Sequence, residues 1–201
     1  AGTNLVREAR QLLNLSRGAT AALGRQLMMT VIMSADLKGE HDLVSTILKG
    51  DGPAGSMICT GNSRLEVKGS VTNPEVELPP NDLGKLDVGG FVGHSGKVSV
   101  VSDLGLKEPY VGLSNIVSGE VAIDFANYYA ASLQRPVLIY LGVRVRAEDG
   151  SVRAAAGVFA EPLPGCPDDV IDRLQAKSDE IAQFSERLDE GETPEELLES
   201  V

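Results

Sequence analysis

The sequence predicts an α+β protein in which largely antiparallel sheets surround one buried helix. Three observations support this class: a helical N-terminal region precedes a run of strands, one helix is apolar around nearly its whole circumference, and a strand–turn–strand pattern follows a second helical region. Apolar residues make up 42% of the 201 residues, which is enough for a core. Because only 4% of the residues are aromatic, that core has to be mainly aliphatic.

Two helices are expected at the N-terminus. The first covers residues 4–13, with Thr3 or Asn4 as its N-cap, and its apolar face consists of Leu5, Val6, Ala9, Leu12 and Leu13. The second covers about residues 16–37, because Ser16 is a favourable N-cap and small or apolar residues follow on nearly every side. A helix of this kind is usually buried, so we predict that it is the central helix of the fold.

Five strands are expected next, at residues 42–49, 54–60, 64–71, 97–102 and 110–116. Residues 64–71 alternate, with Leu65, Val67 and Val71 on one face, which is typical of a half-buried strand. Gly50–Pro53 and residues 61–62 are predicted turns. Residues 93–99 are also predicted as a turn, because they lack the first glycine and the hydroxyl of a phosphate-binding loop.

A helix and a hairpin close this part of the chain. The helix is expected over residues 118–133, ended by Pro136, with Tyr128 and Tyr129 serving helix packing. Residues 137–146 then alternate as a strand with Val137, Ile139, Leu141, Val143 and Val145 on one face. Asp149–Gly150 predicts a two-residue hairpin turn, and residues 152–160 predict the returning strand.

Charge is distributed unevenly along the chain. Residues 161–201 carry 13 acidic and 3 basic side chains, a net −10, whereas residues 1–160 carry 16 and 15, a net −1. A chain without a basic surface is not expected to bind nucleic acid or an anionic membrane. Its apolar stretches are also shorter than the roughly 20 residues that span a bilayer. The simplest interpretation of the acidic tail is a solvated, solubilising face.

A break rich in proline and glycine at residues 162–167 precedes the tail, which is predicted to be helical. The helix over residues 168–188 has one apolar stripe and is otherwise charged; the stripe consists of Val170, Leu174, Ile181, Phe184 and Leu188. Gly191 ends it, and Thr193 to Glu196 form a capping box for a last helix. We expect that helix to be still running at Val201, as in a protein that continues.

The apolar stripe leaves two interpretations open. It either docks on the body as ordinary core, or it belongs to a dissociable helix that covers an apolar sheet surface. In the second case, dissociation exposes a patch that unfolded proteins can bind.

No catalytic or metal-binding group of residues is evident. His41 and His94 are the only histidines, neither has metal-ligand spacing to a cysteine, and both are expected to be exposed. Cys59, in a short strand, is expected to be a buried apolar residue. Cys166 lies between Gly165 and Pro167, so it is expected to be exposed and open to oxidation. Two cysteines give no disulfide framework, which favours a reducing cytoplasm.

Residues 84–136, together with Gly50–Pro53, resemble a known family. The matching residues are Gly84-Lys85-Leu86, Val98 to Leu104, Gly105-Leu106, Tyr110, Gly112, Ser118-Gly119-Glu120, Tyr128, Ser132, Gln134 and Pro136. Their order and spacing are similar to those of the redox-regulated heat-shock chaperones, the 33 kDa chaperonins, and the match extends over most of the chain.

This resemblance implies a cytosolic chaperone that holds unfolded proteins without ATP and forms dimers. It also implies a β/α/β layered domain with a buried central helix, here a chaperone core at residues 1–161, followed by an acidic helical linker at residues 162–201. Clients are expected to bind the stripe of Val170, Leu174, Ile181, Phe184 and Leu188.

The family binds zinc through Cys-x-Cys and Cys-x-x-Cys in a C-terminal domain, whose oxidation releases the metal and activates the chaperone. Neither motif occurs here, so no cofactor is expected in this chain, and zinc is expected only in a C-terminal domain that it lacks. Two other functions stay open: an enzyme of unrecognised type, and an assembly module that binds one folded partner.

Overall fold

The computed structural model describes residues 1–201. The first half of the chain contains α1 (Thr3–Leu13), α2 (Arg17–Ser34), β1 (Leu43–Gly50), β2 (Ser56–Asn62), β3 (Val67–Val71), α3 (Val88–Val92) and β4 (Gly96–Asp103). The second half contains β5 (Tyr110–Asn115), α4 (Val121–Tyr128), a π-helical turn (Tyr129–Leu133), β6 (Leu138–Val145), β7 (Val152–Ala160), α5 (Asp168–Ala176), α6 (Ser178–Ile181), α7 (Phe184–Glu190) and α8 (Pro194–Glu199).

Helix α2 is the central helix that the sequence predicts. Ser16 caps it by accepting a hydrogen bond from the Ala19 amide at 3.1 Å. One side of α2 packs on β1, β2 and β3, and the opposite side packs on β6 and β7. Most of its residues are therefore buried, which explains why its sequence is apolar on nearly every side. No helix in the structure combines the length and the apolarity that crossing a membrane requires.

Five strands form one antiparallel sheet in the order β3-β2-β1-β4-β5. Alternate residues of β1, among them Val44, Thr46 and Leu48, are buried toward α2. The residues between them face away from α2, and no helix covers that side of the sheet. The sheet therefore has one core face and one open face, as the alternation in the sequence predicts.

The predicted strand at residues 64–71 is wrong at its start. The Asn62 side chain accepts hydrogen bonds from the amides of Arg64 and Glu66, at 3.0 and 3.1 Å, and so stabilises a turn. Leu65 lies in that turn with φ of +61° and is exposed, so it does not share a face with Val67. Residues 61 and 62, predicted as a turn, belong to β2.

Helix α1 begins one residue earlier than predicted and is not capped as predicted. Gly2 precedes its first turn without a side-chain cap, and Thr3 is already helical. The Thr3 hydroxyl instead accepts a hydrogen bond from the Ala155 amide at 3.1 Å. Thr3 therefore ties the N-terminal helix to β7.

Helix α3 was not predicted, because its five residues are too few to show a helical period. Asp87 caps it by accepting a hydrogen bond from the Gly90 amide at 2.8 Å. The Gly50–Pro53 turn packs directly against its end, where the Gly52 amide donates to the Val92 carbonyl at 3.1 Å.

The predicted helix at residues 118–133 is shorter at its start and changes form near its end. A turn before α4 surrounds the buried Asp124 carboxylate, which accepts from the amides of Val117 and Ser118 at 2.8 and 3.0 Å. The helix becomes a π-helical turn after Tyr128 and ends at Gln134, whose φ is +57°. Tyr128 and Tyr129 are both buried, in agreement with the predicted packing role.

Strands β6 and β7 form a separate two-stranded antiparallel ribbon. The predicted two-residue turn at Asp149–Gly150 is wrong, because Val145 pairs with Val152 and six residues connect the strands. Gly150 does adopt a positive φ of +69°. Arg10 of α1 donates a hydrogen bond to the Asp149 carbonyl at 3.0 Å and supports this longer loop.

The single helix predicted over residues 168–188 is divided into α5, α6 and α7. The backbone bends at Lys177 (φ −88°, ψ 0°) and at Gln183 (φ −92°, ψ −2°). Beyond the second bend, α7 packs on both β6 and β7. Gly191 ends α7 with φ of +110°. The predicted capping box of α8 is confirmed, but α8 ends at Glu199 and not beyond Val201.

Candidate functional site

The β6–β7 ribbon is covered on both faces. Its inner face carries the alternating residues predicted from the sequence, of which Leu141 and Val143 are buried in the main core. Its outer face, for which the sequence analysis makes no prediction, is largely apolar and lies under the C-terminal helices. The outer face consists of Leu138, Tyr140, Gly142, Ala156 and Val158.

A small second core forms between the outer face and the helices. Ile181 and Phe184 are 1% and 2% exposed, and they meet Ala156 of the ribbon and Leu197 of α8. Burying one such side chain stabilises the docked state by about 1.5–3 kcal/mol relative to leaving it in water. With only four buried residues, this core is much smaller than the main core of 28. The helices are therefore far less firmly held than the rest of the fold.

Polar contacts surround this second core. The Tyr140 hydroxyl lies 2.8 Å from the Ser185 hydroxyl, and Arg153 Nε donates to Asp189 Oδ1 at 2.7 Å. Arg144 Nη1 lies 3.1 Å from Glu186 Oε1. Ion pairs this exposed contribute about 0–1 kcal/mol each, so they orient the helices more than they hold them. Part of the acidic tail thus docks on basic residues of the body instead of facing solvent.

Four of the five residues of the predicted stripe pack in the second core, and Val170 lies apart from them in the lining of a groove. Ile181 and Phe184 are buried, Leu174 and Leu188 are half-buried, and Val170 on α5 is 38% exposed. The apolar stripe therefore faces the ribbon across both bends, except at its first residue. That clients contact these five residues stays a prediction.

Sequence reasoning missed the residues of β6 and α8 that pack against the C-terminal helices α5–α7. Tyr140 and Arg144 occupy the even positions of β6, where alternation predicts solvent exposure. Leu197 was not singled out in the short last helix. Leu138, an apolar residue at the first even position of β6, was the available signal that this face is covered.

An open apolar groove of about 780 Å³ continues from the end of the ribbon. It lies between α4, the first residues of β6, the proline-rich loop at residues 162–167 and α5. Its apolar lining includes Ala122, Ile123, Val137, Leu163, Val170 and Ile171. Leu163 is 79% exposed, so the lining is not filled by the chain itself. An accessible apolar surface of this size is typical of a site that binds apolar ligands or proteins.

The groove carries no free charge. Glu161 is the single charged residue in its lining, and the Arg135 guanidinium donates two hydrogen bonds to its carboxylate. Hydrogen bonding to Arg135 lowers the pKa of Glu161 below its ordinary value. The carboxylate is therefore ionised and paired at neutral pH, which leaves an apolar groove with a neutralised edge.

The two cysteines lie apart. Cys59 is fully buried against α2, and burial raises the pKa of its thiol far above the ordinary value, with a smaller opposite effect from a hydrogen bond with Thr30. Cys166 lies on the loop that lines the groove and is half-buried. The predicted burial of Cys59 is confirmed, whereas Cys166 is less exposed than expected.

This difference predicts selective thiol reactivity. A thiol-specific chromogenic disulfide reagent at pH 8 should modify about one thiol per native chain, since thiolate is the reactive form and Cys59 is both buried and protonated. Denaturant should make both thiols reactive. The variant Cys166→Ser serves as control and should show almost no native reaction; rapid modification of Cys59 in that variant would contradict the prediction.

The zinc implied by the sequence resemblance does not fit the residues of this chain. Zinc in structural sites requires four thiolate or imidazole ligands. No group of three or more His, Cys, Asp or Glu residues in the structure is placed to hold a metal ion. Both histidines are exposed as predicted, and His94 Nδ1 lies 2.7 Å from the Ser118 carbonyl oxygen, as a loop contact.

Comparison with known proteins identifies relatives over the whole chain. The family model described as "Hsp33 protein" matches residues 1–201. A 33 kDa chaperonin of Carboxydothermus hydrogenoformans is 47% identical over 196 residues, covering 98% of this chain and 68% of the relative. One of Bacillus pumilus is 43% identical over 199 residues, covering 99% and 68%. This chain thus spans about two thirds of the length of these relatives.

A solved structure shows the same fold. The crystal structure of the 33 kDa chaperonin from Thermotoga maritima superposes with a TM-score of 0.84 at 34% identity, covering 96% of this chain and 66% of that one. The mixed helix-and-sheet fold predicted from the sequence is therefore confirmed. Because the family model matches every residue and the relatives are well above 30% identical, the chain belongs to the Hsp33 family of chaperones.

Proposed function

We propose that this chain is an ATP-independent holdase, which binds unfolding proteins through apolar surfaces and keeps them from aggregating. The observation that supports this most directly is the β6–β7 ribbon, whose apolar outer face is covered by a core of only four buried residues. The open groove at its end adds apolar surface that needs no rearrangement to be accessible.

Undocking of α5–α8 is the proposed activating step. It would expose Leu138, Tyr140 and Val158 on the ribbon together with Ile181 and Phe184 on the helices, so that both sides of the interface could contact a client. The segment carries a net −10 over residues 161–201, which would keep a complex with an apolar client in solution. In this scheme, Val170, Leu174, Ile181, Phe184 and Leu188 are the client-binding residues.

We further propose that the chain acts by binding clients and not by catalysis. We place this activity in the cytoplasm, and we propose that neither nucleic acid nor a membrane is a partner. The apolar, charge-neutralised groove supports binding of aliphatic segments rather than reaction chemistry. Two thiols that are not placed to pair support a reducing compartment. A homodimer is proposed from the family resemblance.

We propose that residues 1–201 by themselves hold clients without oxidation. The redox control implied by the family uses four cysteines in two motifs, and Cys59 and Cys166 supply neither motif. The balance between covered and exposed ribbon is then set by the docking free energy of the helices. We therefore propose that the chain holds clients in reducing buffer.

Light scattering of a thermally unfolding client tests the proposal. The chain is added in reducing buffer, without nucleotide, at increasing molar ratios, with an equally acidic folded protein as control. We expect scattering to be suppressed at ratios near one, and peroxide treatment to change it little. Absence of suppression with and without peroxide would overturn the holdase proposal, and formation of a stable complex with one folded protein alone would favour an assembly module.

A further inference from the structure

Strand β5 is an edge of the five-stranded sheet, and part of its backbone has no hydrogen-bond partner. It pairs with β4 on one side only. Antiparallel pairing alternates, so every second residue directs its amide and carbonyl toward the neighbouring strand and the residues between direct theirs away. The register decides which residues of β5 these are.

The alternation assigns the outward groups to Val111 and Leu113. The Ile116 amide donates to the Gly96 carbonyl at 3.1 Å, which makes that pair a hydrogen-bonded one. The register is continuous, so Gly112, paired with Val100, is also hydrogen-bonded to β4. The amides and carbonyls of Val111 and Leu113 then point away from the sheet, and no turn, loop or side-chain hydrogen bond in the chain reaches them.

The edge lacks the devices that usually prevent strand addition. Protein edges are commonly protected by charged residues, proline or a bulge. Strand β5 contains none of these, whereas the opposite edge, β3, carries Lys68. Val111 and Leu113 are 51% and 57% exposed on the open face of the sheet. Only the end of the strand is closed, where Asn127 donates to the Asn115 carbonyl at 3.1 Å.

We propose that an extended, uncharged segment of a client pairs with β5 as a sixth strand of the sheet. Free backbone donors and acceptors at alternate positions complement another extended backbone, and this mode is independent of client sequence. Aliphatic client side chains would then lie beside Val111 and Leu113. This inference rests on the proposed holdase function and adds a second site, on the opposite side of α2 from the ribbon.

The size of the open edge favours a client segment over a second copy of this chain. Only Val111 and Leu113 present free backbone groups, which is far less contact than a stable dimer interface needs. A short extended client segment needs no larger surface in order to pair. The open part of the edge provides the backbone amides and carbonyls of only two residues. The pairing is therefore expected to be weak and transient, which suits a chaperone that has to release its clients.

Amide hydrogen exchange, measured residue by residue by NMR, tests this pairing directly. The probe is a synthetic peptide of alternating valine and threonine, and its backbone N-methylated form is the matched control. We expect the peptide to slow exchange at Val111 and Leu113 by about tenfold or more at saturation, which corresponds to about 1.4 kcal/mol of protection. The N-methylated peptide should give no protection, because it cannot donate the required hydrogen bonds.

Two substitutions of Leu113 separate the contribution of its backbone amide to peptide binding from the contribution of its side chain. Leu113→Pro removes an outward amide without breaking the β4 ladder, since an edge strand tolerates proline where its amide faces solvent. It should weaken peptide binding by about tenfold, whereas Leu113→Ala, which keeps the amide, should weaken it by less than about threefold. Circular dichroism of both variants checks that the fold is retained.

The outcomes distinguish this inference from the holdase proposal. Client suppression without protection at Val111 and Leu113 would overturn the β5 inference and leave the holdase intact. Protection that rises with protein concentration in the absence of peptide would assign the edge to a second copy and also overturn it. Protection by the peptide in a chain that suppresses no aggregation would support the edge site while the holdase proposal fails.

Discussion

Replacing Phe184 with alanine is expected to undock the C-terminal helices while the main core stays folded. Phe184 is the largest side chain of the second core, which has only four buried residues. Truncation of a buried phenylalanine costs about 3–5 kcal/mol, and the loss acts on the docking of α5–α8 alone. The small size of this core leaves little else to hold the helices, so the ribbon should be exposed in much of the population.

The measurements are hydrogen exchange in α7 and light scattering with an unfolding client. We expect fast exchange in α7, unchanged protection in α2, and suppression of aggregation at a lower molar ratio than for the unmodified chain. Leu198→Ala is the matched control, because Leu198 is also in the C-terminal helices but is largely exposed. Undocked helices with no suppression at any molar ratio would show that the covered ribbon is not the client surface, because Phe184 is one of five proposed helix contacts and the loss of that contact alone should at most weaken suppression.

Replacing Gly93 with alanine is expected to destabilise the whole domain. Gly93 lies between α3 and β4 with φ of +96° and ψ of 161°, a backbone conformation that is essentially confined to glycine. A Cβ there would lie 2.1 Å from the Gly52 amide nitrogen and 2.3 Å from an Asp51 carboxylate oxygen. Backbone strain and displacement of the Gly50–Pro53 turn together should cost about 3–5 kcal/mol.

Thermal unfolding followed by circular dichroism measures this effect. A loss of that size should lower the Tm by about 6–20 °C in a domain of this length. Gly105→Ala is the control, because Gly105 also has a positive φ, +69°, but has open space around its Cα. It should cost only about 1–2 kcal/mol. Equal effects of the two substitutions would show that the packing of the Gly50–Pro53 turn against α3 contributes nothing.

The predicted turns illustrate how far local sequence reasoning extends. The predicted Gly50–Pro53 turn is found in its place, although Gly50 is the last residue of β1 and neither Gly50 nor Gly52 has a positive φ. The glycines are needed for close packing instead, because a Cβ at Gly50 would lie 2.0 Å from the Val92 carbonyl oxygen and one at Gly52 would lie 2.5 Å from the Gly93 amide nitrogen. The turn at Asn62 was placed two residues too early, since alternation at Val67 and Val71 can be extended back to Leu65 by chance. The Asn62 side chain, which binds two amides, overrides that pattern.

Local patterns predicted the candidate site only in part. The apolar stripe of residues 170–188 indicates that these helices pack against an apolar surface. It does not indicate which surface of residues 1–160 that is. Bends at Lys177 and Gln183 interrupt the predicted helix, yet four residues of the stripe pack in the same second core, and this contact joins positions that are distant along the chain. The pairing of Arg144 and Arg153 with tail acids likewise joins positions more than 30 residues apart.

Sustained periodicity is enough to predict the buried helix α2 and the alternating strands, and short motifs are enough to predict the capping box of α8 and the family resemblance. These features depend on neighbouring residues, whose side-chain directions follow from the 3.6-residue and two-residue periods. The covered outer face of β6 and the free backbone of Val111 and Leu113 become visible in the folded protein alone. Both depend on which surfaces meet, and residues distant along the chain bring those surfaces together.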